Sequence, residues 1–396
     1  MRFPHYELSA YQARSNPLAR GRLGAASLEL RGVDELLALA SDEQREEWAR
    51  LTLSYAPERG TPELRDAIAL NYPGLDSGNV AVFSSATEAL FCVLHASVSA
   101  GDRSAVVTPC YEPLAKIPES IGAEVTALPL QRDVATQRWT LDAEALEAMA
   151  RQSDQLMINF PHNPTGALIT QGQLDSLAAV CERTGTRLIS DEVFRGLEHE
   201  ASSRLSPVAC ITERGVSVGS IAKPHGVGGV RIGWAVSQDT ALLERAVDIR
   251  RTLSVCSGTT DEWLARLVLA HSTALRERSL ATLGKHIDLV EASLERLGGV
   301  LTWTRPEAGC MAFPLLRKPV AGAADAIESA PGQEGRDSGS DHWARRCLEE
   351  TGIMLIPSRC FVGGVEPRFA EGVRLGYGLA DFPSQWSAFV DFLAPA

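Results

Sequence analysis

Between residues 80 and 236 the chain repeats one pattern: a short apolar run, then a stretch of amphipathic or turn-forming residues. The runs fall at 80–83, 104–107, 124–128, 155–160, 187–190, 216–218 and 231–236. Each is of strand length and mostly continuous rather than alternating, as expected of strands covered on both faces. Helical patterns lie between most of them, for example at 141–151 and 171–184. The pattern predicts an α/β domain around a mostly parallel sheet. In such sheets ligands gather beyond the carboxyl ends of the strands. The residues that follow each run are therefore the place to look for chemistry.

The flanks read differently. Residues 33–50 and 61–71 predict helices, the second opened by Gly60-Thr61-Pro62-Glu63 with proline in the first turn. Residues 261–298 predict one or two long helices that end near Gly298-Gly299. Beyond them, short strands at 300–303, 311–315, 354–357 and 372–376 alternate with helices at 342–351 and 382–393, an α+β lobe. Residues 319–341 are rich in small and charged side chains and read as an exposed insertion. There are no internal repeats.

Composition narrows the function. A net charge of −12 over 396 residues gives no electrostatic footprint for nucleic acid or an anionic membrane. No apolar run approaches the roughly 18 residues of a membrane span, and the start, Met1-Arg2-Phe3-Pro4-His5, has no apolar signal region. The eight cysteines are scattered, with no Cys-x-x-Cys pair, which fits reduced thiols better than disulfides or a zinc site. These features predict a soluble, cytoplasmic protein without a metal site.

The post-strand segments carry the candidate chemistry. Lys223 lies in Gly219-Ser220-Ile221-Ala222-Lys223-Pro224-His225-Gly226, and Arg231 follows in Gly229-Val230-Arg231-Ile232-Gly233. A lysine shielded by apolar flanks is placed to lose its proton and attack a carbonyl. An arginine close behind can fork onto a phosphate. A ligand that uses both is an aldehyde that also bears a phosphate, as pyridoxal 5′-phosphate does. Ser84-Ser85-Ala86-Thr87-Glu88 opens a helix after the first run, suited to a phosphate or simply to capping. Tyr111, in the stiff turn Thr108-Pro109-Cys110-Tyr111-Glu112-Pro113, could stack on a planar ring or pack on the core. Asn159-Phe160-Pro161-His162-Asn163-Pro164-Thr165-Gly166 is a rigid turn with two asparagines, and the strongest single motif. Asp191 ends the fifth run; buried, it needs a partner such as a protonated pyridine nitrogen, or it caps the next helix. Arg374, inside a late apolar strand, calls for a carboxylate or phosphate, or a structural ion pair.

Taken in order, these motifs resemble the class I/II aminotransferase family, the fold-type I pyridoxal-phosphate enzymes. The resemblance covers nearly the whole chain, including Tyr55-Ala56-Pro57-Glu58-Arg59-Gly60 near the start. It implies a large domain with a mostly parallel seven-stranded sheet (46–285) and a small α+β domain built from both chain ends (1–45 and 286–396). It implies that Lys223 bonds to the cofactor as the internal aldimine and shuttles protons at Cα. Asp191 would pair with the pyridinium nitrogen, Asn163 would hydrogen-bond the ring oxygen beside the substrate, and Tyr111 would stack on the ring. Ser85, Ala86, Thr87, Ser220 and Arg231 would hold the phosphate, with Tyr55 reaching across a homodimer to the neighbouring site. Arg374 would grip the substrate α-carboxylate.

Two positions depart from the family pattern. Phe194 stands at the cofactor where the family usually has a tyrosine, so one donor to the ring oxygen is missing and the imine pKa should rise. Ala86 replaces the usual glycine of the phosphate loop. The phenylalanine and the sequence Asn-Phe-Pro-His-Asn-Pro-Thr-Gly also resemble a subset in specialised metabolism, including capreomycidine-synthase-like cyclases, that eliminates a side-chain group and closes a ring. Three readings follow: side-chain elimination, replacement or cyclisation on an L-α-amino acid through an external aldimine and a Cα carbanion; ordinary transfer of the amino group to a 2-oxo acid; and a non-catalytic sensor, disfavoured by the presence of Lys223, Asp191, Arg231 and Arg374. Side-chain specificity is expected from residues 15–35 and 251–260, which carry no decodable motif.

Overall fold

The computed structural model describes residues 5–29, 31–317 and 339–394. The seven apolar runs form one sheet: β1 (Val80–Phe83), β2 (Arg103–Thr108), β3 (Glu124–Pro129), β4 (Gln155–Asn159), β5 (Arg187–Asp191), β6 (Val216–Ser220) and β7 (Gly233–Ser237). Their order is β1-β7-β6-β5-β4-β2-β3. Strands β3, β2, β4, β5 and β6 pair in parallel, whereas β7 is antiparallel to both β1 and β6. That reversal brings the beginning of β7 beside the ends of its neighbours, with Gly233 in register with both Phe83 and Ser220. Arg231, which precedes β7 rather than lying in it, thereby reaches the same sheet edge as residues that follow the other strands.

The continuous runs are apolar because the sheet is covered twice. Val106, Met157, Ile189, Val218 and Ala235 pack on one side with residues of the helices Ala86–Ser97 and Thr240–Arg251. On the other side, Leu156, Ile158 and Leu188 pack with the helix Gln171–Thr184. Val80, Val82 and Trp234 pack there with the helices Pro62–Ala69 and Thr259–Ala270.

A second core joins the two chain ends. Leu23, Ala26 and Leu28 cluster with Leu283, Met311, Leu375, Trp386 and Phe389. Beside it, the strands Met311–Ala312, Val373–Gly376 and Ile356–Pro357 form an antiparallel sheet. Gly376 is required by close approach: a Cβ there would lie 1.8 Å from the carbonyl oxygen of Ala25.

Several elements differ from the sequence expectations. The helix expected over 33–50 is two, Val33–Ala38 and Asp42–Ala49, because Ser41 forms a capping box with Gln44: each side chain accepts the other's backbone N–H, at 3.2 and 2.9 Å. The helical stretch 261–298 is also two, Thr259–Ala270 and Ser272–Ser293. The run 311–315 splits into Met311–Ala312 and Leu315–Leu316. The helix Glu7–Ser15 and the hairpin Gln131–Asp133/Arg138–Thr140 were not anticipated. Most of the expected insertion lies outside the described residues, and its last positions, 339–341, open the helix Gly339–Thr351.

Candidate active site

The sheet edge where six strands end and β7 begins opens onto a cavity of about 360 Å³. Ser85, Ala86, Thr87, Tyr111, Asn163, Asp191, Phe194, Ser220, Lys223, Arg231 and Arg374 all line it. Tyr55 does not; it lies in a loop, 87 % exposed.

Each side chain is set by its own piece of backbone. Ser85 caps the helix Ala86–Ser97 by accepting the N–H of Glu88 at 3.0 Å. The first N–H groups of that helix have no intrahelical acceptor, so they and the positive helix end suit an anion. Gly233 makes room for this turn, since a Cβ there would sit 2.2 Å from the nitrogen of Ala86. Ser220 donates to the carbonyl of Ile232 at 2.9 Å and accepts the N–H of Ala222 at 3.0 Å, which closes the turn that presents Lys223. Arg231 is exposed and donates to the carbonyl of Gly228 at 2.9 Å.

Asn159, the last residue of β4, ties two motifs together. Its Nδ2 donates to the carbonyl of Asp191 at 2.7 Å, and its Oδ1 accepts the N–H of Asn163 at 2.8 Å. Asp191 is buried and accepts the N–H of Val193 at 3.1 Å. Burial raises its pKa to about 7; the Val193 bond and the charge of Lys223 work against that rise. A carboxyl in this setting gains most from a cationic partner.

The Nζ of Lys223 donates to the carbonyl of Ala26 at 2.8 Å and lies 5.9 Å from the centroid of the Phe194 ring. Burial lowers its pKa, and the charges of Arg374 and Arg231 add to the effect, so a neutral, nucleophilic amine is within reach. Arg374 is 4 % exposed; its Nε donates to the carbonyl of Gly24 at 3.0 Å and its Nη1 to Oδ1 of Asn163 at 3.2 Å. Burial pulls its pKa down to about 10. The Tyr111 hydroxyl lies 3.4 Å from that of Thr87.

Sequence reasoning did not foresee the N-terminal wall. Leu8, Gln12 and Asn16, on or just after the helix Glu7–Ser15, line the cavity together with Arg22, Ala25, Ala26 and Ser27. That helix is held by the Glu112 carboxylate, which accepts the N–H groups of Glu7 and Leu8 at 2.8 and 2.9 Å. The adjacency of Glu112 to Tyr111 was the available signal, but nothing local to residues 6–12 announces the contact. Of the two regions expected to set specificity, 15–35 contributes to the lining and 251–260 does not.

Among the described residues no cluster of side chains suits a metal ion, and no helix is long and apolar enough to cross a membrane. An amine to bond an aldehyde, a buried carboxyl awaiting a cation, and hydroxyls, helix N–H groups and an arginine for a phosphate converge in one cavity. This donor set fits pyridoxal 5′-phosphate.

The sequence model for aminotransferase class I and II matches residues 30–378. The chain belongs to this family. Its cofactor is pyridoxal 5′-phosphate. Within the family, it is 32 % identical over 209 residues to a probable kynurenine–oxoglutarate transaminase of Saccharomyces cerevisiae, a match covering 48 % of this chain and 47 % of that one. The chain thus spans about half the length of that relative. It is 27 % identical over 371 residues to the capreomycidine synthase of Streptomyces vinaceus, covering 93 % of this chain and 86 % of the relative. A pyridoxal-phosphate-dependent aminotransferase from Streptococcus suis superposes with a TM-score of 0.84 at 22 % identity over 100 % of both chains, a likeness of fold.

Proposed function

We propose that this family member takes the α-proton from an L-α-amino acid and then expels or replaces a side-chain group, with ring closure where the side chain carries a nucleophile. The observation that carries the reading is Phe194, 1 % exposed and beside Lys223, where it offers no hydroxyl to the cofactor. The similarity to a capreomycidine synthase over 93 % of the chain points the same way.

The bound cofactor supplies an electron sink for the carbanion at Cα. The chain supplies the rest. Lys223 holds the cofactor and, once released, its neutral amine takes and returns the Cα proton. Asp191 would hold its negative charge against the cofactor's protonated ring nitrogen, whose cation would offset the burial that raises its pKa, and Tyr111 would cover the ring. Ser85, Ala86, Thr87, Ser220 and Arg231 anchor the phosphate. Arg374 takes the α-carboxylate, and Asn163, whose Oδ1 is already occupied by Arg374, turns its amide nitrogen toward the ring oxygen.

The second reading, transamination to a 2-oxo acid, is supported by the likeness to the yeast transaminase. Incubating holoenzyme with candidate amino acids, without any 2-oxo acid, separates the two. Release of a side-chain fragment with the cofactor retained in its aldehyde state is expected. Stoichiometric conversion of the cofactor to its amine form would overturn the primary reading in favour of the second.

The same reading includes a homodimer. Leu53 and Tyr55 are 81 % and 87 % exposed, and Leu253 and Val255 are also exposed. The carbonyl of Ser54 accepts from the hydroxyl of Thr259 at 2.5 Å, so the two segments adjoin. A second subunit covering this face would bury its apolar side chains and bring Tyr55 to the neighbouring phosphate. The core shared by both chain ends supports a division into a large domain at 46–285 and a small domain from 1–45 and 286–396, although Leu36 and Ala40 pack with Leu64 and Ile68 of the large one. Eight free cysteines, most of them buried, accord with a cytoplasmic setting.

A further inference from the structure

The turn that carries Lys223 is a wall between two cavities. The second, of about 230 Å³, lies behind the turn and shares only Ser220 with the first. Gly219, Pro224 and His225 face it, and the chemistry proposed above makes no use of it. It is smaller than the ~300–1,000 Å³ pockets of drug-sized molecules, so it suits a small ligand.

Three guanidinium groups line this second cavity, those of Arg195, Arg204 and Arg276, against one carboxyl, Glu192. Two of the three are engaged. Arg204 pairs with the buried Glu198 at 2.8 Å, and Arg195 donates to the carbonyl of Leu205. Arg276 makes no hydrogen bond or ion pair with a described residue, and the charges around it include those of Arg204 and Arg195. It is nevertheless half-buried and seated against Gly196. That glycine has φ +91°, and a Cβ there would lie 2.8 Å from Cδ of Arg276 and 2.9 Å from its Nη1.

Glu192 has the opposite need. Its Oε1 accepts the N–H of Val208 at 3.0 Å and the hydroxyl of Ser217 at 2.7 Å, whereas its buried Oε2 has no hydrogen-bond partner. The hydroxyl of Tyr72, also in the lining, accepts the indole N–H of Trp234 at 2.8 Å, which leaves its own hydrogen to donate.

A buried polar atom without a partner calls for one. A simple anion would satisfy Arg276 and Tyr72 but would leave Oε2 of Glu192 unmatched. The fitting ligand is an anion that also donates a hydrogen. Guanidinium groups match phosphate oxygens, and inorganic phosphate keeps a proton at neutral pH. We propose that this cavity is a second binding site, for inorganic phosphate, with Arg276 and Arg195 on its oxygens and its hydroxyl donating to Glu192. Bound there, the phosphate braces the lysine turn from behind. The site does not depend on which reaction Lys223 serves.

Calorimetric titration of the holoenzyme with inorganic phosphate at about pH 8, against sulfate and glycerol 3-phosphate at matched ionic strength, tests this. Neither comparator keeps a proton at that pH, the phosphomonoester because its second pKa is about 6. Phosphate should bind once per chain, at least about 10-fold more tightly than either, because each comparator leaves the buried oxygen unpaired. Arg276→Gln should weaken phosphate binding by about 10-fold or more, with kcat and the cofactor's visible absorption unchanged. Arg374→Ala, which alters the other cavity, should bind phosphate as the wild type does. Glu192→Gln keeps an acceptor for Val208 and Ser217 but can now donate, so it should bind sulfate as tightly as phosphate. No phosphate binding, equal affinity for sulfate in the wild type, or an affinity that survives in Arg276→Gln or vanishes in Arg374→Ala overturns the site.

Discussion

Nη1 of Arg374 donates to Oδ1 of Asn163 across 3.2 Å, joining residues 211 apart in sequence. The bond occupies the acceptor of the amide and leaves Nδ2 as the free donor. The residue assigned to the substrate carboxylate thus orients the residue assigned to the cofactor ring. Replacing Arg374 should therefore disturb two functions at once. Arg374→Ala should raise KM by roughly 30- to 1000-fold, about 2–4 kcal/mol for a desolvated bidentate contact. Arg374→Lys should recover only part of this, because it loses the fork. Steady-state kinetics check it, and an unchanged KM in Arg374→Ala would place the α-carboxylate elsewhere.

Phe194→Tyr should restore a donor to the cofactor's ring oxygen. A donor to a negatively charged oxygen favours the deprotonated form. The pH midpoint of the visible absorption band should then fall by about one pH unit. A midpoint that stays put or rises would show that the ring at 194 does not face that oxygen.

Gly233→Ala should weaken cofactor binding while the fold survives. The added Cβ would meet backbone atoms, 2.2 Å from the nitrogen of Ala86 and 2.4 Å from the carbonyl carbon of Ser85, so the turn that opens the helix Ala86–Ser97 must shift. Equilibrium dialysis should show at least about a tenfold loss of affinity, the scale expected when oriented N–H donors are displaced from an anion. Native affinity together with a native circular dichroism spectrum would count against that turn as the phosphate site.

Asp191 gives the cofactor-free protein a pH-dependent stability. Its folded pKa, about 7, lies above its ordinary value of 3.8, so the native state binds the proton more tightly. The stabilisation is complete below about pH 4 and is lost as the pH rises toward 7. Relative to Asp191→Asn, the wild type should lose roughly 1.4 kcal/mol for each pH unit crossed in that interval, and then level off. Urea denaturation at a series of pH values measures it. Bound cofactor, with a cation facing the carboxylate, should flatten the slope. Parallel curves for the two cofactor-free proteins would mean that Asp191 is not titrating in the native state.

How far the sequence could be read followed from the range of the interactions. Most of the strands were legible because a sheet covered on both faces leaves unbroken apolar runs at Val80, Val106, Met157, Ile189 and Val218, a local record of burial, whereas β3 lies at the sheet edge and is largely exposed or half-buried. The site motifs were legible because Asn163, Asp191, Lys223 and Arg231 sit in short stretches that combine turn-forming residues with reactive groups. The break at Ser41 was written locally and still missed: residues 41–47 carry no apolar side chain, and Ser41 followed by Gln44 is a capping-box pair that starts a new helix.

By itself the sequence determined the order of the strands along the chain, the cofactor chemistry and the substitution at Phe194, since each is written in contiguous residues. Only the tertiary structure decided that β7 runs antiparallel, which puts Arg231 and Gly233 at the same edge as Ser85 and Ser220. Only the tertiary structure could show that residues 20–28 pack against the far end of the chain, giving Lys223 a carbonyl partner in Ala26 and setting Arg22 into the cavity. These contacts join positions hundreds of residues apart, and their cause is packing between elements, on which local patterning is silent.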